Sequence, residues 1–252
     1  MRVRLVIQYA GANYVGWQVQ PNGVSVQALI EAELYKLTGT LVTLHASGRT
    51  DSGVNARAQV AHFDTPVLIP AEKYAYALNT GLPRDIRVMY SGEAEGFHAR
   101  FDVVKKHYRY CVENRPHASA FYRDTALHVH APLDIALLNE AAKDALGTHD
   151  FSAFKAAGTK TENAVRTIYK SEWTEQGRQL CYDVAGSGFL YNMVRILVGT
   201  MLRVGMGRSD KDAVKKALLG GKRSDAGPTA PAHGLTLYRV QYEGFDTEDY
   251  VC

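Results

Sequence analysis

Cysteine is scarce in this chain. Among 252 residues only Cys111, Cys181 and Cys252 occur, widely spaced and odd in number. That argues against a disulfide framework and against a Cys-rich zinc site, and it suits a reducing, cytoplasmic setting. No apolar run approaches the roughly 20 residues that a membrane span needs. The start, Met1-Arg-Val-Arg-Leu-Val-Ile-Gln-Tyr9, alternates at once and lacks the apolar stretch of a signal peptide. There is no Gly-x-Gly-x-x-Gly, and Gly220-Gly-Lys-Arg-Ser224 is only a fragment of a phosphate-binding loop, so no nucleotide cofactor is expected. Neither sign of charge dominates: the net charge is +3, which by itself does not announce a nucleic-acid binder. What remains is an ordinary soluble composition, 46% hydrophobic and 22% charged, long enough for one large domain or two of usual size.

The distribution of charge says more than its sum. Residues 98–123 hold Arg100, Lys105, Lys106, Arg109, Arg115 and Arg123 against Asp102 and Glu113, a balance of +4. Residues 203–223 reach +5, with Arg203, Arg208, Lys211, Lys215, Lys216, Lys222 and Arg223 against Asp210 and Asp212. Phe97, Phe101, Tyr108, Tyr110, Phe121 and Tyr122 interleave the first cluster. Cations for phosphates beside aromatic faces for bases suit RNA, although charge runs are more often solvated surface.

Periodicity predicts a repeated order of elements. Residues 2–9 alternate as a strand. Ser25 is an N-cap for a helix carrying Val26, Leu29, Ile30, Leu34 and Leu37, and Gly39 closes it. Strands at 41–46 and 59–65, a helix at 71–79 and a strand at 86–91 complete β-α-β-β-α-β, the ferredoxin-like order. The second half runs strand 108–113, helix 133–146, strands 166–174 and 179–185 around Gln176-Gly177, helix 189–204, a shorter helix at 211–218 and strand 235–242. The expected fold is α+β, with an N-terminal domain over 1–104 and a C-terminal domain over 105–252. The loops 114–131 and 148–164 are long enough to be binding elements.

The densest signal is Ala46-Ser-Gly48-Arg49-Thr50-Asp51-Ser52-Gly53-Val54-Asn55. Glycine on both sides of Asp51 lets a flat ligand approach the main chain. Arg49 is a permanent cation nearby and favours the ionised carboxylate, which can act as a nucleophile. The plainer alternative is a tight turn in which Asp51 bonds its own backbone. Arg195 poses a similar choice. It is a surface arginine on an amphipathic helix, or, beside Ile196, Leu197 and Val198, a shielded one that needs a partner.

The segments 48–54 and Gln59-Val-Ala-His-Phe63 resemble the catalytic motif of the tRNA pseudouridine synthase A family. So, in order, do Tyr9-Ala-Gly11, Tyr14-Val-Gly-Trp-Gln18, Ser25-Val-Gln27, Phe97-His-Ala-Arg-Phe101, Lys106-His-Tyr-Arg-Tyr110, Gly188-Phe-Leu-Tyr-Asn-Met-Val-Arg195 and Thr229-Ala-Pro-Ala-His-Gly-Leu235. The resemblance spans nearly the whole chain. It implies a cofactor-free, metal-free isomerase that turns uridine into pseudouridine at positions 38, 39 and 40 of the tRNA anticodon stem-loop. It also implies two ferredoxin-like halves whose sheets join across a central cleft, and a homodimer with one tRNA touching both subunits. By the same resemblance Asp51 is the nucleophile and Arg195 the cation paired with it. Tyr108 stacks on the target uracil, and Arg49 takes the place of the displaced base. Ser52 and Asn55 stand where many members have Ala and His, which bears on substrate preference and not on the reaction.

Beside the resemblance, Phe189 is read as an apolar wall of the pocket and Tyr110 as core. His98 and Arg100 are candidates to meet phosphates. His128 and His130 share a strand face but lack a third ligand for zinc. Tyr14 and Trp17 fit either the core or an RNA-facing surface. Two rival functions are weighed. An aspartic protease needs a second carboxylate to share a proton, and Asp51-Ser52-Gly53 occurs once. Against a non-catalytic RNA-binding module stands the presence of Asp51, Arg49, Tyr108 and Arg195 together.

Overall fold

The computed structural model describes residues 1–67, 69–158 and 163–251. In chain order the elements are β1 (Arg2–Tyr9), α1 (Val26–Thr38), β2 (His45–Ala46), β3 (Asn55–Asp64), α2 (Tyr74–Gly81), β4 (Ile86–Glu93), β5 (Val103–Asn114), β6 (Leu127–Val129), α3 (Ile135–Lys143), β7 (Gly147–Asp150), β8 (Val165–Gln176), β9 (Gln179–Gly186), α4 (Met193–Gly205), α5 (Ala213–Gly220), β10 (Leu235–Tyr242) and β11 (Phe245–Asp246). The class is α+β. Two compact units form: Met1–Val104 with Thr236–Cys252, and Lys105–Leu235. Cys252 itself lies outside the described residues.

In the first unit the strands run β4-β1-β3, with β2 antiparallel to β3 through His45↔His62. This is the β-α-β-β-α-β order expected from the sequence. Val26, Ile30 and Leu34 recur every four residues, so α1 turns one buried stripe to the core. Ser25 caps it by accepting from the Ala28 N–H at 3.2 Å, and Gly39 ends it with φ 67°. Strand β2 is far shorter than the expected 41–46. The backbone of Leu44 is taken by α1 instead: its N–H donates to Glu31 Oε1 (2.8 Å) and its carbonyl accepts from Gln27 Nε2 (3.3 Å). Leu41 is left 85% exposed.

The segment after 235 was expected to close the second half, but it groups with the first unit. Thr236 and Leu237 pair in parallel with Asn55 and Ala56 of β3. Arg57 binds Glu248 at 3.0 Å, and Tyr242 Oη donates to the Ala99 carbonyl at 2.7 Å.

In the second unit the order is β5-β9-β8-β7, all antiparallel, with β6 parallel to β5. Gly177, at φ 63°, makes the tight β8–β9 turn. Tyr110, Trp173 and Tyr182 fill the core. The 148–164 segment was expected to be loop throughout, but it opens with β7, and Thr159, Lys160, Thr161 and Glu162 lie outside the described residues. Helix α4 starts at Met193, four residues later than expected, because Asn192 before it adopts φ 61° and ψ 5°.

Candidate active site

In the first unit the Asp51 loop joins β2 to β3. At its start the Ser47 N–H donates to the Val60 carbonyl (2.7 Å) and Ser47 Oγ to Gln59 Oε1 (2.7 Å). Gln59 Nε2 in turn holds the Gly48 carbonyl (2.9 Å). The middle is tied to the end of β1 and to the segment after it. Thr50 Oγ1 bonds Tyr9 Oη at 2.8 Å, and the Thr50 carbonyl accepts from the Trp17 N–H at 3.1 Å. The Gly53 N–H and Ser52 Oγ both reach the Tyr14 carbonyl at 3.3 Å. The Val54 N–H closes a turn onto the Asp51 carbonyl at 3.1 Å.

Two glycines let these backbones touch. A Cβ on Gly16, whose φ is 104°, would sit 2.5 Å from the Thr50 carbonyl oxygen. One on Gly11 would sit 2.2 Å from that of Val54. Asn55 is buried and its Oδ1 accepts from the Gly11 N–H at 2.7 Å, so its side chain helps hold the end of the loop. Tyr14 and Trp17 resolve as buried. Tyr14 Oη donates to Asp85 at 2.5 Å, and Asn13 adds a second donor at 3.0 Å. Burial alone would raise the Asp85 pKa, but these donors outweigh it and hold the carboxyl below its ordinary value. Asp51 is half-buried and Arg49 is exposed.

His98 is committed locally, since its Nδ1 accepts from the N–H groups of Arg100 (3.2 Å) and Phe101 (3.3 Å). Its ring stacks on that of Phe101 at 4.2 Å, and Phe101 is 75% exposed beside exposed Arg100. His62 lies behind it, with Nδ1 accepting from the Ala99 N–H at 3.1 Å. Burial first, then Arg2, His98 and His45, push its pKa down to about 4.

In the second unit Tyr108 lies on β5, buried, with its ring edge-on to Phe189 at 5.1 Å and 85°. Tyr110 is fully buried, and its Oη donates to the Pro231 carbonyl at 2.9 Å. Arg195 occupies the first turn of α4 and is half-buried. Its Nε donates to the Ala230 carbonyl (2.7 Å) and its Nη1 to Asn192 Oδ1 (2.9 Å).

Several basic residues counted toward RNA binding have acidic partners. Arg109 grips Asp183 through Nε (2.9 Å) and Nη2 (3.0 Å), and His107 Nε2 meets the same carboxylate at 2.7 Å. Burial pushes Asp183 up, but these donors prevail and its pKa lies below the ordinary value. Arg115 pairs with Glu113 (2.5 Å), Arg123 with Asp124 (2.9 Å) and Lys211 with Glu140 (2.9 Å). The only advance signal of the Asp183 network was alternation, which sets His107 and Arg109 on one face of β5. His128 Nε2 lies 2.8 Å from the Arg115 carbonyl, a local contact within the 114–131 segment. Cys111 and Cys181, distant in sequence, face each other across β5 and β9 with Sγ atoms 2.6 Å apart, both as free thiols. Among the described residues, no group of three His, Cys, Asp or Glu side chains is arranged to hold a metal ion. No helix among them is long and apolar enough to cross a membrane.

A family model described as tRNA pseudouridine synthase matches residues 5–102 and 141–243. A protein named tRNA pseudouridine synthase A from Bacillus pumilus (strain SAFR-032) is 48% identical over 246 residues, covering 96% of this chain and 100% of its own. The protein of the same name from Bacillus subtilis (strain 168) gives the same identity and coverage. That from Brevibacillus brevis is 45% identical over 242 residues, 96% of this chain and 99% of its own. The first matched span contains the pinned Asp51 loop, and the second contains Phe189 and Arg195. With identity near one half sustained over almost the full length, the chain belongs to the tRNA pseudouridine synthase family.

Proposed function

We propose that Asp51 is the nucleophile of a uridine-to-pseudouridine isomerisation carried out in the tRNA anticodon stem-loop, at positions 38, 39 and 40. The coarse activity follows from the family: this chain is an isomerase that converts uridine to pseudouridine in tRNA. The observation that carries the finer reading is the Asp51 loop, with Thr50 and Gly53 tied by backbone bonds to Trp17 and Tyr14 on either side of the carboxylate. A nucleophile on a fixed loop gives up little freedom when the substrate arrives.

In the reaction the uridine C1′–N1 bond breaks and the uracil turns. C1′ then bonds to C5, the C5 proton is released, and N1 takes up a proton, so the product is an isomer of the substrate. The electron pair of Asp51 holds the base or the sugar meanwhile, through uracil C6 or through C1′. No oxidation occurs and no cofactor is required. Arg195 is the counter-ion of Asp51. A guanidinium stays protonated in a desolvated site and can bind a carboxylate with two N–H groups. Its place in the first turn of α4 adds the partial positive charge of the helix start.

The target base must leave its stack, at a cost of a few kcal/mol. Stacking on Tyr108, beside the Phe189 wall, offsets about 1–3 kcal/mol of that. Arg49 fills the gap in the RNA. A homodimer in the cytoplasm, with one tRNA touching both copies, completes the reading. Mapping pseudouridine in tRNA from cells lacking the protein tests the positions. Loss confined to 38–40, restored by the wild-type chain, is expected, and loss elsewhere with 38–40 intact contradicts it. Sedimentation of the purified chain as a monomer in the presence of tRNA contradicts the dimer.

A further inference from the structure

Asn192 is, among the described residues, the one non-glycine with positive φ, at 61°. It occupies the N-cap of α4. A normal N-cap is extended and uses its side chain to satisfy an N–H of the first turn. Asn192 is left-handed and makes no such bond. Its Oδ1 accepts instead from Arg195 Nη1 at 2.9 Å. A guanidinium only donates, so the partner fixes which amide atom faces it.

The second anchor of Arg195 is equally built. Its Nε reaches the Ala230 carbonyl at 2.7 Å, and the Ala230 N–H returns to the Arg195 carbonyl at 3.0 Å. Two glycines let this segment lie against α4. A Cβ on Gly199 would fall 1.8 Å from the Pro228 carbonyl oxygen, and one on Gly227 would fall 2.8 Å from Thr200 Cα. The Gly227 N–H also donates to Thr200 Oγ1 at 2.8 Å.

Two features that each weaken a helix start therefore coincide. A cation in the first turn opposes the helix dipole. A residue of the best capping type sits in a conformation that does not cap. The hydrogen bond joining these two residues is what the coincidence produces, and unfavourable backbone held by its surroundings tends to mark function. We infer that Asn192 is a positioning residue for the reaction: its left-handed backbone aims Oδ1 at Nη1, and with the Ala230 carbonyl it fixes the plane of the Arg195 guanidinium. This rests on the reading of Arg195 as the counter-ion of the nucleophile.

Asn192→Gly tests it, because glycine takes φ 61° without strain while the acceptor is lost. The melting temperature is expected to be unchanged or raised, and the Kd for tRNA to stay within about twofold. The single-turnover rate is expected to fall about 10- to 100-fold, the scale of a small misplacement of a catalytic group. In an Arg195→Lys background, whose amine cannot use both anchors, the same change is expected to cost less than about threefold, because residues acting through one another are non-additive. A wild-type single-turnover rate in folded Asn192→Gly overturns the inference. So do losses that simply multiply in the double variant, which place Asn192 outside the action of Arg195. Arg195→Met separates the two layers. Full turnover there removes Arg195 from the reaction and the inference with it. Loss there alongside wild-type Asn192→Gly overturns the inference alone.

Discussion

The loop carrying Asp51 and the helix start carrying Arg195 reach rigidity by different means. Around Asp51 the main chain takes a direct part: the Thr50 carbonyl to the Trp17 N–H, the Gly53 N–H to the Tyr14 carbonyl, and the Val54 N–H to the Asp51 carbonyl. Around Arg195 the bonds begin on the functional side chain itself, from Nε and Nη1. A main-chain scaffold tolerates changes of side chain but not an added Cβ where backbones touch. A side-chain scaffold tolerates neither loss of the head group nor loss of the acceptor that orients it. Glycines placed as spacers and a strained asparagine placed as a holder are two answers to one need, a charged group with a single orientation.

The largest effect that probes this contrast is Arg195→Met. Turnover is expected to drop by about 10²–10³-fold, the scale seen when one stabilising donor is removed. Binding of tRNA should largely persist, as read by filter binding. Next is Gly16→Ala. With φ 104° and a Cβ 2.5 Å from the Thr50 carbonyl, it should cost about 2–4 kcal/mol in denaturant unfolding and slow turnover as well. Gly39→Ala is its control. Gly39 also has positive φ, but a Cβ there meets nothing within 4 Å, so about 1–2 kcal/mol and no change in turnover are expected. Equal costs for the two would show that contact with the Asp51 loop is irrelevant. Tyr108→Phe should keep most of its activity because the ring remains, whereas Tyr108→Ala should lose the stacking, about 1–3 kcal/mol in kcat/KM.

A further effect is on acid stability, and it separates the two units. The folded-state pKa of His62 lies at about 4, below the ordinary imidazole value near 6.5, so the fold favours the neutral ring. The stability this confers is complete above about pH 6.5 and disappears as pH falls to about 4. Asp183 in the second unit is also depressed, so its contribution persists through that window and is lost only as pH falls through its lowered value. Hydrogen-exchange protection is expected to decline first in the unit containing His62. His62→Gln, which keeps an acceptor for the Ala99 N–H, should flatten that decline.

Much of this was legible in the residues. The Ser25 cap, the Gly39 stop and the four-residue spacing of Val26, Ile30 and Leu34 define α1 from local chemistry alone. The glycine-flanked Asp51 was visible too, since a left-handed position such as Gly53, at φ 77°, leaves a glycine behind. The start of α4 was not legible. Phe189, Leu190 and Tyr191 continue the helical pattern, and only the conformation of Asn192 ends it. Strand β2 was overestimated because side chains of α1 capture the backbone of Leu44, a long-range competition that alternation does not record. Arg109 looked like a phosphate contact because its partner Asp183 lies on another strand, 74 residues away. Charge counted along the chain overstates charge available on the surface.

The central claim is that Asp51 supplies the nucleophile, and the most direct measurement is single-turnover tritium release from tRNA labelled at uracil C5, using Asp51→Asn. The substitution keeps the shape of the side chain and leaves the main-chain bonds of the loop in place. Release is expected to fall by about 10⁴-fold or more while tRNA binding is retained. Release near the wild-type rate from a folded, tRNA-binding Asp51→Asn protein would contradict the account.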